Sequence, residues 1–75
     1  MAVSTGFTCK SFGLAVRRRR EQLGWSQEKF AERAGIHRTY VSSIELGKVS
    51  VGIEVANQLA KALNIRLSSL IRAAE

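Results

Sequence analysis

Apolar side chains recur at steps of three and four from about Ser11 onward, and nowhere do they alternate as a half-buried strand requires. Phe12, Val16, Arg20 and Leu23, with Ala15 alongside, share one face of a first helix. Gly24 ends it in the manner of a left-handed cap. Ser26 is the N-cap of a second helix over about 27–34, with Gln27 and Glu28 in a first turn whose dipole favours a carboxylate. Trp25 and Phe30 flank that cap as a hydrophobic staple. Phe30, Ala31 and Ala34 form the inward face, and Lys29, Glu32 and Arg33 point outward. Gly35 breaks the chain, and His37 stands at the N-cap of a third helix, Arg38 to Leu46. There Val41 and Ile44 face inward with Tyr40 beside them, and Gly47 closes the element. Residues 48–51 are a loop. Gly52 opens a fourth helix to about Leu63, with Ile53, Ala56, Leu59, Ala60 and Leu63 on one stripe, and Asn64 ends it in the left-handed region. A fifth helix over about 67–73 carries Leu67, Leu70 and Ile71. The pattern predicts five short helices and no strand.

Residues 1–10 show no periodicity and are expected to form a flexible arm; residues 11–75 are expected to form one domain. A chain of 75 residues buries only roughly 60–65% of its unfolded surface, so good helix packing or a second copy is needed to secure it. Its composition is 45% apolar, enough for a core. The single cysteine, Cys9, excludes an internal disulfide and reads as a reduced bystander thiol. No Cys/His cluster has metal-ligand spacing, and no cofactor is expected. No apolar run approaches the ~18 residues of a membrane span, and the N-terminus lacks a secretory signal. A cytoplasmic protein is expected.

Charge changes the picture more than composition does. Twelve Lys and Arg against six Glu give a net charge of +6. Nine basic and four acidic side chains fall within residues 1–50, against three and two in the remainder. The first two thirds therefore face a polyanion, with nucleic acid preferred over an anionic membrane. Within that region Phe30, Ala31, Ala34, Gly35, Ile36, Val41 and Ile44 specify two helices crossing steeply over a tight turn. Ala31 is small where the next helix crosses, and Gly35 supplies a positive φ. This is a helix-turn-helix, whose second helix fits the DNA major groove.

On these residues the sequence resembles the phage repressor/Cro (Xre-like) type of helix-turn-helix regulators. The matches are Arg17, Arg20, Gly24-Trp25-Ser26-Gln27, Ala31, Gly35, Ile44-Glu45-Leu46-Gly47 and Leu59-Ala60-Lys61-Ala62-Leu63, spread over about residues 12–71. The stretch His37 to Glu45 looks most like controller proteins of restriction–modification systems. The resemblance implies an all-α, compact five-helix, lambda-repressor-like DNA-binding domain with a C-terminal dimerisation helix. Three positions depart from the pattern: Trp25 stands for Leu or Met, Arg19 for an apolar residue, and Gly52 for a Ser or Thr cap.

Arg38, Thr39 and Ser43 hold the first, second and sixth positions of the third helix and are the candidate base contacts, which the resemblance supports. Arg38 suits guanine O6 and N7 in a bidentate pair, and Thr39 suits a base edge or a thymine methyl. Tyr40 and Ser42 are assigned to phosphate or to packing, and Lys48 to phosphate. The resemblance implies that Gln27 contacts phosphate at a helix N-terminus and braces Arg38. The run Arg17–Arg20 points in four directions on a helix, so only one or two of its members meet phosphate. Arg17 is the candidate, Arg18 is solvated, and the family counterpart of Arg20 pairs with that of Glu45, which makes the two a buried structural ion pair. His37 reads as a cap, not as a ligand.

A module of this size reading DNA with one helix has little contact area, so a two-fold dimer through the fourth-helix end and the fifth helix is expected, with Leu67, Leu70 and Ile71 as candidate interface residues. The expected function is a homodimeric regulator of transcription on a pseudo-palindromic operator, of the controller subtype. A phage-type repressor, or an antitoxin whose fold also binds a protein, is the alternative. RNA polymerase is the further partner considered. The chain has no spare length for a sensing domain, so regulation is expected from concentration, dimerisation and operator arrangement. Paired carboxylates, a Ser/His/Asp set and a Gly-rich phosphate loop are all missing, which argues against an enzyme.

Overall fold

The computed structural model describes residues 7–75, and each predicted helix forms within them. The helices are α1 (Cys9–Gln22), α2 (Gln27–Ala34), α3 (Arg38–Glu45), α4 (Ile53–Ala62) and α5 (Leu67–Ala74). No strand occurs among the described residues. Residues 1–6 of the expected arm lie outside them.

α1 begins two residues before the Ser11 that the periodicity picks out. The cause is a polar signal upstream of the first apolar residue. The Thr8 hydroxyl oxygen accepts the Ser11 N–H (3.0 Å), and the Ser11 side-chain oxygen accepts the Thr8 N–H (2.7 Å), a reciprocal capping box. Phe7, just before the cap, packs edge-on against Phe12 with ring centroids 6.0 Å apart.

Between α2 and α3 the chain turns at Gly35, whose φ of 72° a side chain would resist. The Ile36 N–H reaches back to the Ala31 carbonyl at 3.0 Å, satisfying an end-of-helix acceptor and fixing the turn. α4 then lies across α2, where the Gln58 amide donates to the Ala34 carbonyl at 2.6 Å.

One core results. Val16, Phe30, Val41, Leu59, Ala60 and Leu63 are fully enclosed at its centre, and Phe12, Ile44 and Leu70 close it. α1 packs on both α3 and α5, which places the paired helices against the C-terminal ones. At Gly13 the α1 and α3 backbones meet: a Cβ there would collide with the Ile44 carbonyl oxygen. Glycine costs roughly 1 kcal/mol in a helix interior, and here it permits a contact that no other residue allows.

Two assignments need correction, one inward and one at the interface. Ile53, expected on the buried stripe of α4, is 74% exposed. It is the first residue of its helix. Leu70, expected at a dimer interface, is 1% exposed within the single chain and belongs to its core. α5 carries two stripes at i,i+4 spacing: Leu70 and Ala74 point into the core, while Leu67 and Ile71 remain partly exposed.

Arg19, the unexpected charge on α1, proves to be a helix cap in trans. Its Nε donates to the Leu63 carbonyl (3.1 Å) and a terminal nitrogen donates to that of Asn64 (3.4 Å). A cation at the end of α4 satisfies acceptors the helix leaves open and complements its dipole. Asn64 itself takes the left-handed conformation expected of it, with φ 58°.

Candidate nucleic-acid interface

α3 turns a largely polar surface outward. Its N-terminus is capped by His37, whose Nδ1 accepts the Thr39 N–H at 3.1 Å, so the imidazole does the capping task expected of it. Val41, Ile44 and Glu45 are buried, and Tyr40 packs partly against the core from the flank. Arg38 and Thr39 are fully solvent-facing, Ser42 and Ser43 are half-buried beside them, and Lys48 is exposed just past the helix. The structure thus brings all three candidate base-reading residues, Arg38, Thr39 and Ser43, to one side of one helix.

What holds that helix in place is polar. Arg20 reaches from α1 to Glu45 at the end of α3 in a two-pronged pair, Nε to Oε2 at 2.6 Å and Nη2 to Oε1 at 3.0 Å. The side chains are 11% and 2% exposed, as the inward stripe predicts for Arg20. The remaining prong, Nη1, donates to the Trp25 carbonyl at 2.7 Å. Hydrogen bonding to Glu45 holds the Arg20 guanidinium above its ordinary pKa, outweighing the opposing effect of burial. No buried side-chain polar atom among the described residues lacks a partner. The network is therefore fully satisfied, the condition under which a buried ion pair is tolerable.

Gln27 joins the same network. Its Nε2 donates to Glu45 Oε1 at 3.0 Å. The brace implied for Arg38 thus goes to Glu45 instead, because Glu45 presents a buried acceptor to the N-terminus of α2 while Arg38 projects into solvent. Trp25 and Phe30 form the expected staple, with centroids 6.4 Å apart, and the Arg33 guanidinium lies over the indole at 5.2 Å.

Arg17 is not free. Its Nε bonds Glu21 at 3.0 Å one turn on, with both side chains about half exposed. Exposed i,i+4 pairs of this kind are worth only about 0.3–0.5 kcal/mol, so a phosphate can replace Glu21 cheaply. Arg18 is exposed, as expected.

An apolar cleft of about 240 Å³ opens between the start of α1, the loop before α4, and α5. Phe7, Phe12, Val51, Ile53, Leu67 and Ile71 line it. The candidate interface residues Leu67 and Ile71 are there, and Leu70 is not. Among the described residues no group of three or more His, Cys, Asp or Glu side chains could hold a metal, and no helix is long and apolar enough to cross a membrane.

Comparison with known proteins agrees with this geometry. The helix-turn-helix family matches residues 16–70. Control protein C.BamHI of Bacillus amyloliquefaciens is 38% identical over 61 residues, spanning 80% of this chain and 75% of that one. Control protein C.MunI of a Mycoplasma species is 42% identical over 52 residues, 69% of this chain and 70% of that one. Among solved structures, the restriction-modification controller protein C.AhdI from Aeromonas hydrophila superposes with a TM-score of 0.80 at 35% identity, covering 83% of this chain and 94% of that one. A buried Arg20–Glu45 pair beneath an outward stripe of Arg38, Thr39 and Ser43, and these relatives, lead to one assignment: the chain belongs to the helix-turn-helix family of DNA-binding transcription regulators.

Proposed function

We propose that the protein is a restriction–modification controller: a cytoplasmic, non-enzymatic homodimer that binds a pseudo-palindromic operator and sets transcription by its own concentration. The observation that carries this is the outward stripe of α3 on a chain of net charge +6, rigidly fixed by a buried ion pair at its base. In this reading α3 lies in the major groove. Arg38 takes a guanine edge, and Thr39 and Ser43 read neighbouring bases. Gln27, whose amide has a second N–H to give, Tyr40, Ser42, Arg17 and Lys48 take phosphates on either side. Two copies join through Leu67 and Ile71, whose cleft leaves apolar surface that a twin would cover. RNA polymerase is the partner through which a bound dimer would act on a promoter.

The test is binding to the DNA upstream of the protein's own gene across a salt series. Affinity should fall steeply with salt, since each neutralised phosphate releases counterions. Arg38→Ala should weaken that site by about 1–3 kcal/mol and relax the base preference there while leaving random DNA unaffected. Equal losses on both DNAs would remove Arg38 from the base-reading set.

A further inference from the structure

Leu46 is a large apolar residue with no task in the fold. It is 53% exposed, and it does not line the apolar cleft. It is the C-cap of α3 and keeps helical angles (φ −83°, ψ −5°), so its side chain continues the spiral of that helix. At about 100° per residue, Leu46 falls midway across the outward stripe, between Arg38 and Ser42 on one side and Thr39 and Ser43 on the other. Apolar spacing assigns it no role, because it follows inward Ile44 and Glu45 at the very end of its helix.

We infer that Leu46 is a specificity-determining residue that packs against the C5-methyl group of a thymine in the major groove, at the far end of the half-site from Arg38. The inference rests on α3 lying in that groove. Eight residues of helix advance about 12 Å, the length of three to four base pairs at about 3.4 Å each. A leucine has nothing to offer a phosphate oxygen or a polar base edge. The thymine methyl is the apolar feature the major groove displays, and covering it removes apolar surface from water on both sides.

The experiment starts from sites selected by the wild-type protein out of random duplex DNA. Each thymine in a selected site is then replaced by deoxyuridine, which deletes the methyl alone. Wild-type affinity should drop about three- to fivefold at one or two positions per half-site, the weight of one buried methyl group. Leu46→Ala should bind the parent site about that much more weakly and be indifferent to the same replacements. Leu46→Met should retain sensitivity to them. Thermal melting of both variants should stay close to wild type, since more than half of the side chain already lies in solvent. A deoxyuridine profile unchanged in Leu46→Ala overturns the inference, as does a change in oligomeric state with no change on DNA, which would make Leu46 a protein contact. Groove docking itself fails differently: no sequence is selected, or Arg38→Ala selects the same sites as wild type. An Arg38-dependent site that Leu46 reads no differently from alanine leaves docking intact and defeats this inference alone.

Discussion

The two ends of the molecule are held by different physics. α1, α2 and α3 share the core through Val16, Phe30 and Val41 and are locked in addition by directional polar contacts: Arg20 to Glu45 and to the Trp25 carbonyl, and Gln27 to Glu45. α4 and α5 are held mainly by apolar contact through Leu59, Leu63 and Leu70, with Arg19 clasping the end of α4 and Gln58 donating to the Ala34 carbonyl. An ion pair has one good geometry, so it fixes the angle at which α3 is presented. Apolar packing is non-directional and tolerates adjustment. The directional bonds therefore stand behind the surface proposed to match a base sequence. The adaptable packing stands beside the cleft where a second copy is proposed to dock.

The comparison is broken most severely at Glu45. Glu45→Ala leaves Arg20 buried without its partner, and stability should fall by about 3–5 kcal/mol. At roughly 4–8 °C per kcal/mol for a domain this size, circular dichroism at fixed protein concentration should record a very large drop in Tm. Arg20→Met with Glu45→Leu should recover much of the loss, because apolar pairs of similar volume often replace buried ions without cost. A Glu45→Ala protein that melts like wild type would remove the polar lock altogether.

The next contrast lies within α5. Leu70→Ala opens a core cavity and should cost about 2–5 kcal/mol in thermal unfolding. Ile71→Glu should leave the monomer's core intact and instead shift the sedimentation of the protein from dimer to monomer. If both changes act only on Tm, the apolar face beside the cleft serves the monomer alone.

Smaller effects sharpen the picture. Arg19→Ala releases two carbonyls at the end of α4 and should lower stability by about 1 kcal/mol, read by denaturant titration. Arg17→Ala should change stability by less than about 0.5 kcal/mol, since its bond to Glu21 is exposed. On DNA it should weaken all sequences alike and reduce the salt slope by about one unit.

The helices and the turn were legible because each depends on local residues: Gly35 for the left-handed corner, Ser26 and His37 for caps, and apolar spacing for the inward faces. The Arg20–Glu45 pair was legible through its resemblance to a known motif. What stayed hidden depends on which elements meet. The α1 start was set by Thr8 and Ser11, two small polar residues that carry no periodic signal. Arg19 looked like a defect in an apolar stripe until the end of α4 lay beside it. Gln27 found Glu45 in place of Arg38 because Glu45 offers a buried acceptor while Arg38 is exposed to solvent. Leu70 and Ile71 are adjacent in sequence, and only the packing of α5 on α1 assigns one to the core and the other to the surface.

Gly13 bears on how such a protein can change its target. The first helix touches the third there through main-chain atoms, at the carbonyls of Ile44 and Glu45. A grip on backbone is indifferent to the side chains around it. Arg38, Thr39 and Ser43 lie away from that contact, so they can be exchanged as a set without disturbing how α3 is seated. The scaffold is in that sense a fixed handle with an interchangeable key, and new operator preferences are open to it by substitutions that leave the melting temperature where it was.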